Sequence, residues 1–190
     1  MTATQFARND RRQLPQTPQV AAVVYADNAY PGSSFEALVR LCRDRGLVLA
    51  GVLQHQICTA PDRRCDVVLE DLTTGHRTAI FEDRGAGAAG CRLDEGALAD
   101  ATARIEGNLE SGADLLVPNK FGKAECSGGG LVDLMANALG RGIPSIIGVP
   151  RSNIDAWRAF AGDYAVELSD DIDEIGRWLA GLRQPSAVRN

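Results

Sequence analysis

Residues 119–130, "NKFGKAECSGGG", carry the densest set of groups able to do chemistry. Asn119, Lys120 and Lys123 supply an amide and two ammonium groups, and Glu125 supplies a carboxylate that can offset them or accept a hydrogen bond from a ligand. Gly128, Gly129 and Gly130 then lead into an apolar helical pattern, and a helix N-terminus offers free backbone N–H groups to an anion. Two cations and a ring of N–H donors make a cradle for phosphate or another oxyanion. Solvated lysines beside glycines that merely make a turn are the alternative.

A second candidate is "ADNAYPGS", residues 26–33, between an apolar run and a helical pattern. A phosphate loop needs GxxxxGK[ST], because glycines let the backbone curl round phosphates, lysine reaches the outer phosphates and the hydroxyl binds magnesium. On that template Ala26 and Pro31 take the glycine positions and Gly32 the lysine position, so only Ser33 matches. Pro31 also lacks an N–H donor. Magnesium-dependent triphosphate binding is therefore not expected here. The start of the helix, with Gly32, Ser33 and Ser34, is expected to keep free N–H groups and form a second wall of the site.

Gln54 ends the second apolar run, where it can meet a ligand or satisfy loop backbone. Arg92 in "GCRLD" is a forked donor suited to an oxyanion, or a partner for Asp94, which reads as the N-cap of the next helix. His55, Cys58, Cys65 and Cys91 are donors for a soft metal, but their spacing fits no zinc motif, so structural thiols are the first expectation and a Cys/His metal site the alternative. Asp62, Arg63 and Arg64 read as a solvated charge run. The sequence offers neither a Ser-His-Asp set nor paired catalytic carboxylates.

These residues need a scaffold. "VAAVVY" (20–25), "LVLAGVLQ" (47–54), "ADLLVP" (113–118), "IPSIIGV" (143–149) and "YAVEL" (164–168) read as buried strands. Helical stripes lie between them: Phe35, Leu38, Val39 and Cys42 stopping at Gly46; Leu98, Ala101, Ile105 and Leu109; Leu131, Leu134, Met135 and Ala138; and Ile175, Trp178, Leu179 and Leu182. Ser152 to Asp155 resembles a capping box before a helix whose Trp157 and Phe160 face the core. "DVVLEDL" and "RTAIFE" flank a turn at Gly75 and predict a hairpin, and "DRGAGAAG" (83–90) predicts a loop. The whole predicts a three-layer α/β domain over residues 19–183 with a β-hairpin insertion, after a polar arm (1–18) and before a short tail (184–190). Ligands of such folds sit beyond the carboxyl ends of the strands, which points to 26–34, 54–65, 119–130 and 149–153.

Through "GVLQ", "CDVVLEDLTTG", "GCRLD" and "NKFGKAECSGGGL", in that order, the chain resembles a bacterial family of unknown function often encoded near molybdate-transport genes. That family is in turn distantly similar to small nucleoside-triphosphatases of the P-loop class, with "DLTTG" (71–75) at their hairpin and "NKFGKAEC" at their acidic motif. The resemblance implies a P-loop-NTPase-like parallel sheet and a place in molybdate or metal supply. Asn119 and Lys120 stand where those enzymes carry the acids that hold magnesium and orient water, so inherited hydrolysis is not implied.

With 25 acidic and 20 basic residues among 190, the net charge of −5 argues against generic nucleic-acid binding. No apolar run is long enough to span a bilayer, and five scattered cysteines without a recognisable export signal suggest reduced thiols in the cytoplasm. The expectation is a cytoplasmic P-loop-like protein that binds a small anion or nucleotide without efficient hydrolysis, with no cofactor that the sequence itself calls for, and open to homo-oligomerisation. The alternatives are a phosphohydrolase or phosphotransferase recruiting Lys120 or Lys123, and a Cys/His metal-binding protein.

Overall fold

The structure is a computed structural model, and it describes residues 19–57, 66–80 and 93–182. The arm, the tail, the 83–90 loop, Asp62 to Arg64, Arg92, Cys58, Cys65 and Cys91 lie outside the described residues.

Seven strands form one sheet in the order β4-β3-β2-β5-β6-β1-β7. Strands β1 (Val20–Tyr25), β2 (Leu49–Ile57), β5 (Leu115–Val117), β6 (Ser145–Pro150) and β7 (Ala165–Leu168) pair in parallel. The hairpin strands β3 (Asp66–Asp71) and β4 (Arg77–Ala79) extend the sheet antiparallel from β2, so the hairpin widens the sheet. The expected α/β sheet, mostly parallel and extended by a β-hairpin, is met. β1 lies beside the edge strand β7, and the loop that follows it opens α1.

Alternation along each strand explains the layers. Ala21 and Val23 of β1, Leu49 and Leu53 of β2, and Leu115 and Val117 of β5 face α1 (Gly32–Asp44) and α6 (Ile172–Gly181). Val20 and Ala22, Ala50 and Val52, and Leu116 face α2 (Glu95–Glu110), α4 (Val132–Gly140) and α5 (Ile154–Ala161) on the other side. Both faces are covered, as a parallel sheet requires.

Most helix signals act as expected. Phe35, Leu38, Val39 and Cys42 are buried, Gly46 adopts φ +71° just past α1, and Asp94 Oδ1 accepts from the Ala97 N–H to cap α2. The hairpin turn is held by Asp71, whose carboxylate accepts from the Thr73 and Thr74 N–H groups and from Asn108 of α2.

Three expectations need correction. The stretch 119–130 contains one helical turn, α3 (Lys123–Cys126), because Glu125 reaches back to the Gly122 N–H. The capping box at Ser152 does not form: residues 151–153 make a 3-10 turn, Asn153 is the N-cap, and no side chain caps α5. Trp157 is buried, but Phe160 is 38% exposed, stacked on Phe121 and tilted against Trp157.

Candidate functional site

In a doubly wound sheet the ligand crevice opens where neighbouring strands send their connections to opposite faces. Here α1 leaves β1 on one face, while α5 leaves β6, the neighbour of β1, on the other. That crevice is closed by the protein itself. Asp27 Oδ1 accepts from the Ser152 N–H, tying the loop after β1 to the turn after β6. Gly148 of β6 has no side chain, and the Tyr25 and Tyr30 rings pack over it; a Cβ there would lie 3.2 Å from Tyr25 and 3.3 Å from Tyr30. Tyr30 also stacks on Phe35, with ring planes 6° apart. Its hydroxyl is buried without a partner, and burial pushes the phenol well above its ordinary pKa. Burial, with the Asp27 charge adding to it, raises Tyr25 to about 12. Both phenols are therefore neutral donors at physiological pH.

The helix ends are also occupied. The Gly32 N–H donates to the Tyr30 carbonyl, and the Ser34 and Phe35 N–H groups donate to the Pro31 carbonyl. Of the three N–H groups expected to be free, those of Gly32 and Ser34 are engaged. The Ser34 hydroxyl donates to the Asp170 carbonyl ahead of α6, which takes this side chain into a structural tie.

The 119–131 segment is built around Glu125. One carboxylate oxygen accepts from the Gly122 N–H at 2.8 Å and the other from the Leu131 N–H at 3.0 Å, so the start of α4 is served by an internal anion. The Gly128 and Gly129 N–H groups donate to the Glu125 and Ala124 carbonyls. Gly130, at φ +60°, leaves the space that Glu125 fills: a Cβ there would lie 2.0 Å from Oε1. Lys123 and Gly128 to Gly130 are exposed. Lys120 is exposed as a residue, yet desolvation holds its ammonium below the usual lysine value against the opposing pull of Glu125. Phe121, fully buried against Trp157, anchors the segment, and Asn153 Nδ2 donates to its carbonyl.

Asn119 holds the junction of these loops. It adopts φ +91° and is 7% exposed; its carbonyl accepts from the Gly148 N–H of β6, and the Phe121 N–H donates back to the Gly148 carbonyl. Its Nδ2 donates to Gln54 Oε1 at 3.3 Å, while its own Oδ1 is buried without a partner.

Open space lies one step from the closed crevice. A cavity of about 260 Å³ sits between the first turn of α1 and the end of β2, lined by Tyr30, Gly32, Ser33, Glu36, Gln54, His55 and Gln56. His55 Nε2 lies 3.1 Å from Glu70 Oε2, and its Nδ1 lies 3.9 Å from Glu36. Burial would raise Glu70, but the Arg77 hydrogen bonds and charge, with His55 adding to them, hold it below the usual carboxylate range. His55 is thus engaged with carboxylates. Among the described residues no group of three His, Cys, Asp or Glu side chains is placed to hold a metal.

Of the expected site residues, the structure places Ser33 and Gln54 on this cavity, with Asn119 behind Gln54. Tyr30, Glu36 and Gln56 are lining residues that the motif reading passes over. Periodicity offered two of them: Glu36 falls one helical turn after Ser33, and Gln56 lies two residues beyond Gln54 on the strand.

Residues 20–178 match the family described as "Protein of unknown function (DUF2478)". The chain is 34% identical over 130 residues to the molybdenum import ATP-binding protein ModC 2 of Bradyrhizobium diazoefficiens; the match covers 68% of this chain and 14% of that protein's length. The crystal structure of THEP1 from Aquifex aeolicus aligns with a TM-score of 0.47 at 10% identity, over 81% of this chain and 91% of that one. Among the described residues no helix is long and apolar enough to cross a membrane.

Proposed function

The chain belongs to the DUF2478 family, and from that premise we propose that it binds a nucleotide at the α1–β2 cavity without efficient hydrolysis. The observation that carries this reading is the cavity itself, a polar recess at the carboxyl end of β2 and the first turn of α1. Five of its seven lining residues bear polar or ionisable side chains besides Tyr30: Ser33, Glu36, Gln54, His55 and Gln56. The name of the Bradyrhizobium relative joins ATP binding to molybdenum import, which supports an accessory role for this chain in molybdate or metal supply inside the cell.

A bare oxyanion fits less well than a nucleotide. The α4 N-terminus is served by Glu125, and three of the first four N–H groups of α1 are taken by backbone carbonyls. What remains for phosphate is the exposed pair Lys120 and Lys123 on the segment after β5, with Ser33 and Gln54 lining the cavity. Hydrolysis lacks its parts: no lysine stands in the 26–33 loop, and Asn119 and Lys120 replace the acids that would hold magnesium.

Thermal unfolding of the full chain with ATP, ADP, phosphate, molybdate and tungstate checks this. A nucleotide at about 100 times its Kd should stabilise the protein by roughly 2.7 kcal/mol. The stabilisation should persist in EDTA and shrink in Lys120→Ala. A shift with molybdate or phosphate alone, or none with any nucleotide, would refute the nucleotide reading.

A further inference from the structure

We propose that the α1–β2 cavity reads the base of its ligand, taking a guanine-type edge, and that the phosphates stay outside it. This rests on the nucleotide reading above and names what part of the nucleotide enters.

Charge comes first. No lysine or arginine lines the cavity, while Glu36 does. A phosphate seated there would face a carboxylate with no cation to offset it. An uncharged group with N–H donors would meet an acceptor instead. An ionised carboxylate accepts only, through two oxygens side by side, and matches two adjacent N–H donors. The guanine edge presents such a pair, a ring N–H beside an amino group. Adenine sets a single amino group beside a ring acceptor, which Glu36 would repel.

The remaining walls supply the complement. Gln54 has its carbonyl oxygen fixed by Asn119, which leaves its amide N–H groups as donors for a ring carbonyl. The Ser33 hydroxyl and Gln56 amide add adaptable donors and acceptors. His55, held by Glu70, orients the wall beside Glu36. Size agrees: about 260 Å³ lies just below the range of sites for whole drug-sized ligands and suits a base or nucleoside.

The test is calorimetric titration of the full chain with guanosine, adenosine, GTP and inorganic pyrophosphate, repeated on Glu36→Gln. Glu36 is a surface-reaching helix residue whose charged contacts, Arg40 at 4.0 Å and His55 at 3.9 Å, are both long, so this variant keeps the fold, as circular dichroism would verify. We expect guanosine to bind at least tenfold more tightly than adenosine, pyrophosphate not to displace it, and Glu36→Gln to lose at least tenfold in guanosine affinity. GTP binding that pyrophosphate abolishes, with guanosine silent, overturns the inference while the nucleotide reading stands. Unchanged guanosine affinity in Glu36→Gln also overturns it. No binding of any of the four defeats both.

Discussion

Gly51→Ala should be the most damaging single methyl addition among the described residues. Gly51 sits in β2 at φ +119°, where an L side chain is strained, and pairs with Val117 of β5. A Cβ there would lie 2.0 Å from the Val117 carbonyl oxygen and 2.6 Å from its carbon. Both contacts are with backbone, so no rotamer change relieves them and the strands must separate. Backbone strain of about 1–3 kcal/mol adds to overpacking of about 1–3 kcal/mol, for a loss of roughly 2–6 kcal/mol. Against a typical total of about 5–15 kcal/mol, much of the protein would be unfolded or insoluble. The damage falls next to the site, because Gln54 and Asn119 follow on the two strands being forced apart. Urea denaturation measures it; a Gly51→Ala midpoint equal to wild type would contradict the β2–β5 spacing.

Glu125→Ala should be the next largest. Its carboxylate accepts two backbone N–H bonds, from Gly122 and Leu131, and no other side chain takes either place. Hydrogen bonds to a charged group contribute about 1.5–3 kcal/mol each, so a loss of about 3 kcal/mol is expected. Glu125→Gln, which keeps one acceptor oxygen, should lose about half as much. Amide hydrogen exchange would locate the effect: protection at Gly122 and Leu131 should fall while β1 and β6 stay protected. Uniform loss of protection would mean that the carboxylate supports the whole core and not this segment.

These two residues mark where the sequence was legible and where it was not. Strand and helix identities follow from apolar spacing, and the stripe Phe35, Leu38, Val39 and Cys42 is buried as its period requires. Asp94 as a cap and Gly75 as a turn residue act through local chemistry that four or five residues specify. Glu125 did not read as a structural residue, because its value depends on where Leu131 returns, six residues on, after a turn of helix that composition disguises as loop. Ser34 looked like part of the site, yet its hydroxyl meets Asp170, 136 positions away, which no local pattern encodes. The filling of the crevice by Tyr30 was equally hidden, since it needs Gly148 on a neighbouring strand. Long-range pairing decided each of these cases. The cavity lay where the fold rule pointed, at the strand ends, but shifted from β1–β6 to α1–β2.

The central claim is binding without turnover, and the most direct measurement follows the fate of bound nucleotide. Protein freed of contaminating ATPase would be loaded with γ-labelled ATP and with γ-labelled GTP, each with and without magnesium, and the bound label analysed over hours. The account predicts retention with or without magnesium and recovery of the label as intact triphosphate. Magnesium-dependent release of phosphate that Lys120→Ala abolishes would contradict it and identify a phosphohydrolase.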